Sequence, residues 1–340
     1  MAPGQLSGQD AGPFSWAALV DGLVAERGTL AAVALHLAER RGFQEDVESA
    51  ERGLRRLRTR GGAAGGVWGD RVLRVFGLPT AVTDRVRWMG QYHTRFTDLP
   101  VSLGAELLAA WDRPPVSESP ARVWVLLGRA GVAIRRRLEA HDLLAQAALL
   151  VGQAERAAQI ELALVTAFVV SRTDRAAGDR ALDDAERLLA SSASPSSDTV
   201  FSLSAEDEAC LFARLIDHRA WGLNRPASGP ADHAGAVDLY LRIPPDGPPF
   251  ARCRRENGLG WSRLRLGDRA AAVQHARAGV EAAGDGGSLR LRAMALNLLA
   301  QAAEGEEAHR ARTRALGIAH RLEDEALAVR LGEAPRRPTP

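Results

Sequence analysis

Small side chains return every 36 residues in the last third of this 340-residue chain, and that recurrence restricts the fold more than any other feature. Ala236, Ala272 and Ala308 form one row, and Ile243, Gly279 and Ala315 form a second row seven residues further on. Tyr240, Ala276 and Arg312 lie between them, so each unit carries the i, i+4, i+7 stripe that a short helix buries against a neighbour. Self-similarity at this period marks stacked helix pairs, in which each pair buries its apolar face only against the next. No segment alternates β-branched residues between turn signals, so no sheet is expected.

Upstream, Trp124-x2-Leu127-Gly128-x2-Gly131 is followed by Ala140-x3-Leu144-x2-Ala147, and Leu259-Gly260, Gly267-Asp268, Ala272 and Gly279 look like a second copy. This pattern of aromatic, Leu-Gly, small residue, Ala, bulky apolar and Ala resembles the tetratricopeptide repeat (TPR) family. Gly267 is expected to end one helix and Asp268 to cap the next by accepting a backbone N–H. The sequence departs from the family pattern where Gly131 and Arg263 replace its tyrosine, and its proline appears clearly only near Pro244 to Pro249. Helix pairs are expected at 121–150, 154–190, 205–243, 253–282 and 289–316, with a closing helix near 318–331. A further pair, 83–96 and 100–111, is expected in the same stack, closed by Pro114-Pro115. Loops are expected at Ser191 to Thr199 and Pro226 to Pro230, where punctuating residues cluster.

Residues 14–78 have a different texture. Three short helices are expected from Ser15, Thr29 and Asp46, then the glycine-rich stretch Gly61 to Gly69, flexible by composition, then a fourth helix through Val72 to Phe76. On the third helix, Val47, Ala50, Leu54 and Leu57 share one face, while Arg52, Arg55 and Arg56 share the opposite one. From Glu51 to Arg74 seven arginines face two acids, in a segment that loosely resembles a helix-turn-helix head whose glycine loop leaves room for a wing. The predicted fold class is therefore all-α: a superhelical solenoid of TPR-like helix pairs at 80–331 with an N-terminal helix-turn-helix-like domain at 14–78, flanked by disordered stretches at 1–13 and 332–340.

Composition narrows the chemistry. All 44 basic residues are arginine, and the lack of lysine removes Schiff-base chemistry, a pyridoxal anchor, the Walker lysine and the kinase lysine together. Against 42 acids the formal net charge is +2, so nucleic acid or an anionic membrane has to be met by a local patch. The eight histidines stand singly, without metal-ligand spacing, and no nucleophile elbow or phosphate cradle is present, so no metal, cofactor or catalytic residue is expected. Two cysteines, Cys210 and Cys253, read as buried thiols in a reducing compartment, and the absence of a leader-like or spanning segment makes the cytoplasm the expected location, with no membrane partner.

Function is expected to lie in recognition. In the TPR family the first helix of each pair lines a concave groove, and the matching positions here are Arg122, Val125, Arg129, Arg254, Asn257, Trp261, Arg290 and Asn297. A lining of guanidinium forks, amides and one indole suits an acidic or carboxylate-terminated peptide. The leading expectation is a non-catalytic adaptor that binds a protein or peptide partner. The alternative is a transcriptional regulator whose head binds DNA through Arg52, Arg55 and Arg56 while the repeats act as a sensor. Trp88, Tyr92 and Phe96 stand at i, i+4, i+8 and are expected to form a packing stripe on one helix between head and stack.

Overall fold

The computed structural model describes residues 13–40, 46–191, 203–226 and 228–332, and the protein is all-α, with seventeen α-helices, three short 3-10 turns and no strand among those residues. The stretches expected to be disordered at the two ends, and the loop at Ser191 to Thr199, lie outside the described residues except at their edges. No described helix is long and apolar enough to cross a membrane. The chain divides into two units, residues 1–90 with 105–125, and residues 91–104 with 126–340.

The first unit begins with α1 (Trp16–Arg27), α2 (Leu30–Ala38), α3 (Val47–Arg58), α4 (Gly66–Phe76) and α5 (Thr80–Gly90). Each of the first three helices starts at a side-chain cap: Ser15 accepts from Ala18 N at 3.2 Å, Thr29 from Ala32 N at 3.0 Å and Asp46 from Ser49 N at 2.6 Å. Their apolar stripes meet in a core of Trp16, Leu19, Val20, Val33, Leu54, Leu57 and Val72, all fully or almost fully buried. The glycine-rich stretch forms the seat of this core, where composition alone predicts a flexible connection. The Trp16 indole donates to Ala63 O at 3.1 Å, and a Cβ at Gly65 would lie 2.3 Å from the Trp16 ring, so only glycine lets the backbone approach the indole this closely. Helix α4 therefore begins at Gly66, ahead of the expected start, and no wing strand forms in this stretch.

A second departure follows at the end of α5. The helix stops at Gly90, where a Cβ would meet the Trp124 carbonyl oxygen at 2.2 Å. Gln91 to Thr94 are non-helical and a 3-10 turn follows at Arg95–Asp98. The expected helix 83–96 is thus broken, and Trp88, Tyr92 and Phe96 do not share one helical face.

The second unit is built from successive helices. Helices α6 (Val101–Trp111) and α7 (Arg122–Arg135) each have residues in both units, and after them the second unit holds α8 (His141–Leu150), α9 (Arg156–Val170), α10 (Arg175–Ala190), α11 (Ala205–Asn224), α12 (His233–Leu241), α13 (Pro249–Arg265) and α14 (Arg269–Asp285). The run ends with α15 (Leu289–Ala302), α16 (Gly305–Arg321) and α17 (Glu325–Arg330). Helices pack pairwise, α9 on α10, α11 on α12, α13 on α14 and α15 on α16, and α11, α13 and α15 also touch side by side. The repeating rows lie in these contacts: Ala236, Ile243, Ala272, Ala276 and Ala315 are fully buried, and a Cβ at Gly258 would fall 2.0 Å from the Tyr240 ring. Gly267 takes φ +84 and Asp268 accepts from Ala271 N at 3.0 Å, the stop and the cap expected from the sequence.

Candidate functional site

Helices α11, α13 and α15 bring three arginines to one place. Arg214 pairs with Glu161 of α9, and Arg254 Nη1 donates to Asp217 Oδ2 at 2.8 Å. Arg290 Nε donates to Asp324 Oδ2 at 2.8 Å, and Arg135 Nε reaches the same oxygen at 3.0 Å while its Nη2 donates to the carbonyls of Leu99 and Leu322. All four arginine side chains are nine-tenths or more buried. Four guanidinium groups thus face three carboxylates, and the balance is positive.

Tyr92 fills the space between them. Its hydroxyl oxygen accepts from Arg254 Nη2 at 2.9 Å and from Arg290 Nη1, and the guanidinium carbons of Arg214, Arg254 and Arg290 stand 4.7, 5.3 and 5.3 Å from its ring centroid. Phe250 of α13 closes one side with its ring edge-on to the phenol. The neighbours of Tyr92 in the chain are tied to the same helices. Gln91 Nε2 and His93 Nε2 each lie 2.9 Å from Asp207 Oδ1 in the first turn of α11, and Asp98 Oδ1 accepts from the Arg290 backbone N–H at 2.9 Å. Val101 N donates to Leu322 O at 3.0 Å and Ser102 N to Glu323 Oε2 at 2.8 Å. Residues 91–98 are therefore tied to α11, α13 and α15, and Val101 and Ser102 to the turn between α16 and α17.

Charge and burial set the protonation states. Burial pushes the Tyr92 hydroxyl up, but the charges of Arg290, Arg254 and Arg214, with Arg330 beyond them, overcome it and bring it down to about 7. Burial works against the charge of Arg290 and Arg254, yet Tyr92 with Asp324 and Asp217 holds both above the ordinary arginine range. Asp324 is held below the usual carboxylate range despite its burial, by Arg290 and Arg135. Tyr240 behaves in the opposite way from Tyr92. Its hydroxyl donates to Asp217 Oδ1 at 2.9 Å, and burial together with that carboxylate pushes it well above 10. Burial, aided by Arg214 and Arg254, takes His218 down to about 4, and burial pushes the free thiols of Cys210 and Cys253 up to about 12.

Of the eight groove positions read from the sequence, Arg254 and Arg290 meet at Tyr92, and Asn257 lies one helical turn from Arg254, buried with Oδ1 lacking a hydrogen-bond partner. Trp261 packs into the apolar cluster of α13 to α16, while Asn297 is partly exposed. Arg129, on α7, is partly exposed. Arg122 donates to Asp112 Oδ1 at 2.8 Å and Val125 is fully buried, both within the first unit. In the same unit Arg52, Arg55 and Arg56 are exposed on α3, with Arg52 3.8 Å from Glu48 and Arg55 bonded to Glu51 of its own helix. Sequence reasoning read Tyr92 as packing and did not single out Arg135, Arg214 or Asp324. The only local signal of Tyr92 is rarity, as one of two tyrosines, because its partners lie 162 and 198 residues away. Among the described residues no group of three or more His, Cys, Asp or Glu side chains is placed to hold a metal ion. Compared with known proteins, the chain matches no family model, no curated protein and no solved structure.

Proposed function

We propose that this protein is a non-catalytic recognition scaffold, a solenoid of TPR-like helix pairs whose odd-numbered helices hold an acidic or tyrosine-bearing polypeptide. The observation that carries the reading is that these helices already hold polypeptide. Residues 91–98 lie on α11, α13 and α15 through one phenol, one carboxylate and one amide, each met by side-chain or backbone partners on the helices. A face that accommodates an extended segment of its own chain has the width, the donors and the charge to accommodate another. The buried Arg254 Nε and Asn257 Oδ1 have no hydrogen-bond partner, so the face retains polar capacity that its present contacts do not use. Two buried free thiols suit work in a reducing compartment such as the cytoplasm.

The test is a selection of displayed peptides with free C-termini against the full-length protein at pH 6 and at pH 8. Enrichment of acidic or tyrosine-bearing sequences, competed by a synthetic peptide of residues 88–104, is expected. A selection that enriches nothing at either pH overturns the scaffold reading. A second reading, DNA binding by the head, is favoured by one observation, the exposure of Arg52, Arg55 and Arg56 opposite the buried Ala50, Leu54 and Leu57. It predicts affinity for mixed-sequence duplex that falls steeply with salt.

A further inference from the structure

The two tyrosines of this chain are placed in opposite hydrogen-bonding roles. Tyr240 has an acceptor, the Asp217 carboxylate, for its proton. Tyr92 has two hydrogen-bond partners, Arg254 and Arg290, and guanidinium groups only donate. An oxygen met by two charged donors, in a cluster where cations outnumber carboxylates, is favoured in its anionic form. The segment that carries it is also held by the Asp207 bridge to Gln91 and His93, by Asp98 at the start of α15, by Leu99 O accepting from Arg135, by the buried Phe96 and by the backbone bonds of Val101 and Ser102, and the ionic contact of Tyr92 is the one among these that a proton can remove near neutrality.

We propose that segment 91–104 is an internal ligand latched onto the odd-numbered helices by an ionic contact between a Tyr92 phenolate and Arg254 and Arg290, and that protonation of this phenol unlatches the segment and opens the arginines to an acidic polypeptide. The last clause rests on the scaffold reading above; the latch itself does not. The groups facing Tyr92 leave it as the titrating member near neutrality. From α11 come Arg214 and Asp217, from α13 Arg254, from α15 Arg290, from α17 Arg330, and from the turn before α17 Asp324, with Glu161 of α9 behind Arg214 and Arg135 of α7 behind Asp324. The arginines keep their charge, Asp324 is held low, Tyr240 of α12 is held high and His218 is neutral. His93, bonded to Asp207 beside the phenol, is separated from it by substitution in the experiment.

Because the chain has two tyrosines, the tyrosinate absorbance band in the near ultraviolet reads them almost one at a time. The full-length protein, titrated while folded, is expected to develop one tyrosinate near pH 7. Tyr92→Phe should abolish that step, whereas Tyr240→Phe and His93→Gln should retain it. Hydrogen exchange, corrected for the intrinsic pH dependence, should show amides of 91–104 protected roughly tenfold or more better at pH 8.5 than at pH 6, a gain missing from Tyr92→Phe. A wild-type protein in which no tyrosine ionises below pH 9, or in which protection of 91–104 is the same at both pH values, overturns the latch. An acidic peptide taken from the selection should bind better at pH 6 than at pH 8.5, and Tyr92→Phe should bind it equally at both. If the tyrosinate step is present but the peptide binds equally at both pH values to the wild type, the gating clause is overturned. If the step is present and no peptide binds, the scaffold reading fails while the latch stands.

Discussion

Arginine does opposite work in two regions of this molecule. On α3 of the first unit Arg52, Arg55 and Arg56 are exposed, and Arg52 and Arg55 pair with Glu48 and Glu51 one turn away on the same helix. Between α7 and α17 of the second unit Arg135, Arg214, Arg254 and Arg290 are almost completely buried, and their partners come from other elements. The first set is screened by water and tied to local helix geometry, so each pair contributes a few tenths of a kcal/mol. The second set has lost its hydration and is stabilised by Glu161, Asp217, Asp324 and Tyr92, and at Arg135 also by the Leu99 and Leu322 carbonyls. A chain without lysine uses one cation for both purposes, and burial alone decides which purpose a given residue serves.

That contrast can be broken most sharply at Asp324, whose side chain is fully buried and whose Oδ2 serves both Arg290 and Arg135. Asp324→Ala takes the shared carboxylate from two buried guanidinium groups and should cost about 3–5 kcal/mol in chemical denaturation, far more than any single charge on α3. A loss below about 1 kcal/mol would show that water already reaches the pair. The next effect is read by pH. His218 is neutral in the folded protein down to about 4, while in the unfolded chain it takes a proton near 6.5. Unfolding therefore gains a proton between those values, and stability should fall as pH drops from 6.5 to about 4, then level off, by roughly 2–3 kcal/mol in all. His218→Asn should flatten this arm of the denaturation profile, and an unaltered arm would assign it to another group. In the first unit the comparable buried polar contact is neutral. Trp16→Phe removes the indole donor to Ala63 and some of the ring that seats Gly65, and should cost only about 1–2 kcal/mol in thermal or urea unfolding.

The parts of the molecule that were legible in the sequence are those whose causes are local. The 36-residue rows, the Gly267 stop and the Asp268 cap are written within one or two helical turns, and the helices appear where those signals put them. The closing helix was expected as one piece at 318–331. It divides because Glu323 takes φ +53 and Asp324 caps a new helix by accepting from Leu327 N at 2.9 Å, which also turns the Asp324 carboxylate toward the arginines. The candidate site was half legible. The resemblance to the TPR family pointed to Arg254 and Arg290 on the first helices of successive pairs, but such a likeness cannot say what covers a face. The cover comes from Gln91 to Ser102, more than a hundred residues upstream, and its departure from helix begins just after Gly90, whose backbone lies too close to the Trp124 carbonyl for a Cβ. A glycine in a helical stripe carries no mark of which distant backbone it has to clear.

The smallest expected effect belongs to α3 and bears on the alternative function as well. Arg52→Ala, Arg55→Ala and Arg56→Ala combined remove three exposed charges whose side chains contribute nothing to the core of Trp16, Leu54 and Leu57. The unfolding free energy of the triple variant in urea should stay within about 0.5 kcal/mol of the parent, because exposed helix pairs are weak and the freed Glu48 and Glu51 remain hydrated. With folding unaffected, duplex binding by the same variant isolates the second role. If α3 meets DNA, three lost phosphate contacts should lower affinity equally across sequences and flatten the plot of log affinity against log salt by roughly three units of slope. If parent and variant bind duplex alike, or neither binds, α3 arginines only keep the helix hydrated, and the division between the two regions is one between arginines that solvate the surface and arginines that are buried among partners from other elements.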